Sequence, residues 1–219
     1  ENGKGNPGQK DDIEEFYRFT DELVGQFKII FEKVRYTHKI PALEIRNEIV
    51  PMVLKASEHD DLFRLFAALQ SKDDYLYRHS VAVGIIAALI GKWLSLGYSE
   101  LLQLTTAAVL LDIGKMKIPS EILDKPEKLT PKEFEIMKKH TIYGYEMIRE
   151  TFGMGHRQAL VALQHHERLD GSGYPFGIRE QKIDYFARIV AVADTFHAMT
   201  SDREYHGPSA FHNALIKMN

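Results

Sequence analysis

The 219-residue chain contains no cysteine. Disulfides, thiolate metal sites and a thiol nucleophile are thereby excluded, and the lack is compatible with a reducing cytoplasm. A basic excess is lacking as well: 28 Lys and Arg stand against 31 Asp and Glu, a formal net charge of −3. Without a positive field, a duplex nucleic acid has nothing to hold it, although a small pocket for one nucleotide is still compatible with the charge. Long apolar runs are missing too. The most apolar stretch, Val81 to Ile90, meets Lys92 just beyond Gly91. It is about half of the roughly 20 residues that span a bilayer, so it reads as a buried helix and no membrane segment is expected. The opening residues ENGKGNPGQKDD have no apolar centre and do not form a signal peptide. Their Gly, Asn and Pro content predicts a flexible linker or tail over 1–12. Sustained period-two alternation is also absent, which leaves no convincing strand pair.

What the sequence does carry is helical periodicity and enough apolar material, 44% hydrophobic, for a substantial core. Phe16, Phe19, Leu23, Phe27, Ile30 and Phe31 mark a helix over Ile13 to Arg35. A second helix follows Pro41, and a third begins near Asp60. Together these predict a helical N-terminal region over 13–70, a sensory, relay or dimerisation module. Beyond it, helices are expected over Ser80 to Leu96, Glu100 to Asp112 and Ala159 to His166, and around Ile189 to Phe196. Thr130, Pro131 and Glu133 form a helix-start signature, with Thr as cap, Pro at the first position and Glu reaching back. That helix should run past His140 toward Arg149. The predicted fold is all-α.

Six side chains stand out as nitrogen and oxygen ligands: His79, Asp112, His140, His165, His166 and Asp194. A lone histidine beside an apolar helix is more often a hydrogen-bonded core residue than a ligand. His165-His166 differs, because adjacent histidines at a helix end, followed by the Gly-rich Asp170-Gly171-Ser172-Gly173-Tyr174-Pro175, are rarely needed for packing. On the residues alone, packing and ligation are evenly balanced.

The order of the pieces decides more. His79-Ser80, Leu111-Asp112-Ile113-Gly114-Lys115, Ile118-Pro119, His140 with Gly144, His165-His166-Glu167 through Gly173-Tyr174-Pro175, and Asp194 through Ser201-Asp202-Arg203 and Tyr205 follow one another along the chain. This series resembles the HD-GYP family, a branch of the HD-domain phosphohydrolases, over 71–219. The resemblance implies an HD-domain helical bundle and hydrolysis of cyclic di-GMP to pGpG or GMP in bacterial second-messenger signalling. It implies a two-metal site in which Asp112 bridges, His140, His165 and His166 complete the second metal, and His79 and Asp194 hold the first. Imidazole and carboxylate ligands suit Fe, Mn, Zn or Ni more than Mg or Ca, and Fe or Mn is the expected choice. Asp112 and Lys115 are the expected catalytic residues, and Lys115, Tyr174 and Arg203 the expected substrate contacts. A cytoplasmic location, a homodimer and a signalling-protein partner at the Gly-Tyr-Pro loop complete the expectation.

Departures from the pattern matter as much. Leu111 stands where the family has the His of its His-Asp pair. Leucine has no lone pair, so the first metal loses a ligand while the second keeps its full set. The expected centre is lopsided, and a degenerate domain that binds ligand or partner without hydrolysis is the alternative. His197 takes a place commonly held by Asp, three residues after Asp194. It is expected behind the ligands or on the surface, with direct ligation the lesser reading. Tyr75 replaces a Glu that some members use for a third metal, and His206 replaces a basic residue.

Overall fold

The computed structural model describes residues 7–59, 68–69 and 74–201. Among them the chain is helical and no strand is present, as the missing period-two pattern predicts. The elements run α1 (Pro7–Thr37), α2 (Ala42–Glu44), a π turn (Ile45–Ile49), α3 (Val50–Ala56), α4 (Tyr75–Trp93) and α5 (Tyr98–Val109). A 3-10 turn (Ile113–Lys117), α6 (Ser120–Leu123), α7 (Pro131–Lys138), α8 (His140–Arg149), α9 (His156–Gln164), a second 3-10 turn (Glu180–Lys182) and α10 (Tyr185–Thr200) follow.

Several boundaries differ from the expected ones for local reasons. Helix α1 begins at Pro7, inside the stretch 1–12 expected as a linker. Proline suits a first helical position, and Gln9 and Lys10 are good helix formers, so polar composition did not prevent the helix. The segment after Pro41 contains a π turn directly before Pro51. Proline lacks the N–H of a regular helix and its ring crowds the carbonyl four residues back, and one wider turn relieves both. The helix expected from Asp60 falls largely outside the described residues. The helix started at Thr130 divides at Lys139, which makes His140 the first residue of α8. Its cap is as predicted: the Glu133 N–H donates to Thr130 Oγ1 at 3.3 Å, and the Thr130 N–H donates to Glu133 Oε2 at 2.7 Å.

Helix α4 is apolar all round and lies at the centre, with Val81 through Ala88 all buried. One side joins a cluster with Phe27, Phe31 and Val34 of α1, Ile49 and Val53 before and within α3, and Met147 and Ile148 of α8. The other side, through Val83, Ile86 and Ala87, joins Leu104, Ala107 and Ala108 of α5, Val161 of α9 and Phe186 and Val190 of α10. Each fully buried Leu, Ile, Val or Phe stabilises the fold by about 1.5–3 kcal/mol. Gly84 allows the close approach of α4 to α5, since a Cβ there would lie 2.5 Å from Val109 Cγ1. Three polar contacts tie α1 to the first turn of α4. Lys28 pairs with Asp74 at 2.7 Å, Arg78 pairs with Asp21 at 2.8 Å, and Tyr77 donates to Glu32. Helix α4 is therefore gripped on both sides just before it delivers His79.

Candidate metal centre

Five segments bring their polar residues to one end of α4. His79 lies one turn into α4, with the Tyr75 ring stacked on it at 5.7 Å between centroids. Asp112 sits in the tight turn that ends α5 and opens the 3-10 turn, where the Lys115 N–H donates to the Asp112 carbonyl. The turn lies directly against the start of α8. A Cβ on Gly114 would stand 1.9 Å from the His140 carbonyl oxygen and 2.4 Å from the Gly144 nitrogen, so no larger residue fits. His165 and His166 follow the last turn of α9, and Asp194 comes from α10. Asp112, His140, His165 and Asp194 are all buried.

One ligand atom from each of Asp112, His140, His165 and His166 lies within 4.8 Å of the others. His140 Nδ1 is 2.7 Å from the Met137 carbonyl, and His165 Nδ1 is 3.0 Å from that of Ala162. A carbonyl only accepts, so both Nδ1 atoms carry the proton and both Nε2 atoms present bare lone pairs. Those Nε2 atoms are 3.5 Å apart and lie 3.3 and 3.8 Å from Asp112 Oδ1. That oxygen is buried and has no hydrogen-bond partner among the described residues. Three lone pairs converging on one buried point repel one another unless a cation lies between them. The donor set therefore fits a divalent transition ion.

The other oxygen, Asp112 Oδ2, accepts from Lys115 Nζ at 2.7 Å and lies 4.0 Å from His79 Nε2. His79 Nε2 is 3.0 Å from Asp194 Oδ1, and Asp194 Oδ2 is 3.9 Å from His166 Nδ1. Burial pushes the His140 imidazole down to about 4, against the pull of Asp112. Burial likewise lowers His165, and it lowers His166 with help from its neighbours His165 and His140. Burial alone would raise the Asp112 carboxyl, but the Lys115 ammonium and the surrounding histidines hold it well below the carboxylate range. Burial likewise works against Asp194, and its bond to His79 lowers it. With His140, His165 and His166 neutral, the Asp112 and Asp194 carboxylates and the bare imidazole nitrogens make a donor set that suits a cation.

The Gly-rich loop closes the His165-His166 side. The Tyr174 ring packs on His166 at 4.6 Å, and the Tyr174 N–H donates to the His166 carbonyl at 3.2 Å. A Cβ on Gly173 would meet the His166 oxygen at 2.4 Å. Burial raises the Tyr174 phenol, so it keeps its proton. Glu167, to which the sequence reading gave no role, is a buried strut. Its Oε1 accepts from the Phe176 N–H at 2.8 Å and its Oε2 from the Ile178 N–H at 3.1 Å. The signal available was an acidic residue set directly after two candidate ligands.

Leu111 is fully buried and belongs to the cluster containing Val83 and Val190, one turn along from His79 and Asp194. His197 is 2% exposed, and its Nδ1 lies 2.9 Å from His79 Nδ1. It thus stands behind a candidate ligand, which removes the surface reading. Arg203 and His206 lie outside the described residues. No described helix is long and apolar enough to cross a membrane.

Comparison with known proteins gives the family. Residues 65–219 match the HD domain family model. A cyclic di-GMP phosphodiesterase of Pseudomonas aeruginosa is 38% identical over 164 residues, which are 75% of this chain and 39% of that protein. One from Thermotoga maritima is 41% identical over 165 residues, 73% of this chain and 45% of that protein. The 3'3'-cGAMP-specific phosphodiesterase 3 of Vibrio cholerae is 35% identical over 209 residues, 91% of this chain and 45% of that protein. The chain thus spans less than half the length of these relatives. Among solved structures, an HDG"Y"P protein from Bdellovibrio bacteriovorus shares the fold with a TM-score of 0.68. It is 19% identical and the match covers 95% of this chain and 72% of that one. By the match to the family model the chain belongs to the HD-domain family.

Proposed function

We propose that the chain is a metal-dependent phosphodiesterase that opens a cyclic dinucleotide, cyclic di-GMP first, to pGpG or GMP. The observation that carries this reading is the buried convergence of Asp112 Oδ1 with the His140 and His165 Nε2 lone pairs. Asp112, His140, His165 and His166 would hold one divalent ion, of the Fe or Mn kind, and His79 and Asp194 would offer a second, poorer position. A bound divalent ion supplies Lewis-acid charge to the phosphodiester. Lys115 keeps Asp112 ionised and sets an ammonium beside the same oxygen, ready to neutralise a phosphate oxygen. Tyr174 keeps its phenolic proton for a hydrogen bond to the substrate, and Arg203 adds a guanidinium fork to the phosphate.

Relatives named for cyclic di-GMP are 35 to 41% identical, and those named for cGAMP 33 to 35%. We place the catalytic unit at 71–219, with 13–70 as a sensory, relay or dimerisation region in a cytoplasmic homodimer. The Gly-Tyr-Pro loop, with Phe176 64% exposed, is a surface for a signalling partner. The second reading, a domain that binds without hydrolysing, is favoured by one observation, the burial of Leu111. Incubating Mn-loaded protein with cyclic di-GMP and cGAMP and separating the products tests both. Linear product from cyclic di-GMP supports the enzyme, whereas binding without turnover supports the second reading.

A further inference from the structure

His197 has two neighbours on its ring. Its Nδ1 is 2.9 Å from His79 Nδ1, and the Ser201 hydroxyl lies 3.1 Å from its Nε2 and 3.3 Å from its Nδ1. At the far side of His79, Nε2 is 3.0 Å from Asp194 Oδ1. Ser201, His197, His79 and Asp194 thus form one chain of hydrogen bonds. With no cation present, Asp194 only accepts, so His79 Nε2 carries the proton and His79 Nδ1 accepts from His197.

A cation shared by His79 and Asp194 requires a bare His79 Nε2. The His79 proton must then sit on Nδ1, and Nδ1 must face an acceptor. His197 Nδ1 is the atom at that place, and it accepts once the His197 proton has moved to Nε2, where Ser201 receives it. The two rings keep two protons in total, and each proton only changes nitrogen. We propose that His197 is a positioning residue that selects the metal-binding tautomer of His79, making the His79–Asp194 position usable despite Leu111. The inference rests on the metal centre proposed above. A residue behind a ligating histidine commonly changes metal affinity by about 10–100-fold. A neutral imidazole accepts less strongly than a carboxylate, so this support is weaker than the Asp usual at the position would give.

The test is zinc titration of the full chain, read by calorimetry and by 15N histidine spectra that report which ring nitrogen is protonated. In the wild type, the first equivalent fills Asp112, His140, His165 and His166. Excess zinc then converts His79 to the Nδ1-protonated form. His197→Phe keeps the ring and removes the acceptor, and it should weaken the second equivalent at least about tenfold while leaving the first unchanged. His197→Asn returns an acceptor oxygen at the Nδ1 place and should restore the second equivalent to near wild type, and His197→Asp should tighten it. Equal second-site affinity in wild type and His197→Phe overturns the proposal, as does His79 protonated at Nε2 under excess zinc. If His197→Phe does not fold, the wild-type tautomer and the Asn variant still decide it. Failure of the first equivalent to bind would instead overturn the metal-centre reading, and this inference with it.

Discussion

Leu111→His sets the core against the metal centre. Leu111 is 0% exposed, within the cluster formed by Val83, Ile86, Phe186 and Val190. Replacing a fully buried Leu removes apolar contact worth about 2–3 kcal/mol. The new imidazole adds a buried polar group, at about 1–3 kcal/mol until its nitrogens are satisfied. The metal-free variant should thus lose about 3–6 kcal/mol, and in a chain of this size about 2–4 °C of melting temperature accompanies each kcal/mol. A fall on the order of 10 °C is expected in chelator. Metal reverses the sign. Binding to the native state adds about 2.7 kcal/mol at one hundred times Kd and about 4.1 at one thousand times. Melting curves with chelator and with Mn, together with metal content, provide the assay. The variant should bind close to two ions per chain where the parent binds about one, recover most of the lost melting temperature and turn over faster. Two tightly bound ions in the parent chain, or a variant that gains neither metal nor metal-dependent stability, would refute the reasoning.

Three further outcomes follow from the same geometry. His140 titrates near 6.5 when unfolded and is pushed down to about 4 in the native state. The unfolded chain therefore binds more protons across that window, and the metal-free protein should lose about 3 kcal/mol as pH falls from about 6.5 to about 4, at about 1.4 kcal/mol per pH unit. A urea midpoint unchanged between pH 7.5 and 4.5 would contradict this. Gly114→Ala forces a methyl against the His140 carbonyl and should lower both metal content and melting temperature, with strain of about 1–3 kcal/mol. Wild-type metal affinity in that variant would show that α8 gives way freely. Glu167→Gln turns one acceptor into a donor facing a backbone N–H and should cost about 1.5–3 kcal/mol. Amide exchange at Phe176 and Ile178 should accelerate most, and unchanged protection there would remove Glu167 from its role as a strut.

Much of the centre was legible because it is written in contiguous motifs. The Thr130–Glu133 cap follows from residues three apart, and the all-α class follows from the 3.6-residue recurrence of apolar positions, neither of which needs tertiary information. Boundaries were read less well. The π turn before Pro51 and the break at Lys139 depend on how strain is relieved locally. The start at Pro7 shows a polar segment joining a helix whose apolar stripe begins later. Glu167 and His197 were visible as letters, but their partners are 9 to 118 residues away in sequence.

The sequence by itself determined the helical class and which residues are candidate ligands, with Leu111 offering no lone pair, since each is a property of residue identity and spacing. Tertiary structure alone decided which lone pairs converge. It left Asp112 Oδ1 without a donor, gave Asp112 Oδ2 to Lys115, and brought His197 from α10 against His79 on α4. Those outcomes depend on distances of a few ångströms between separate helices. They are set by packing around Gly84 and Gly114, which no local pattern of residues encodes.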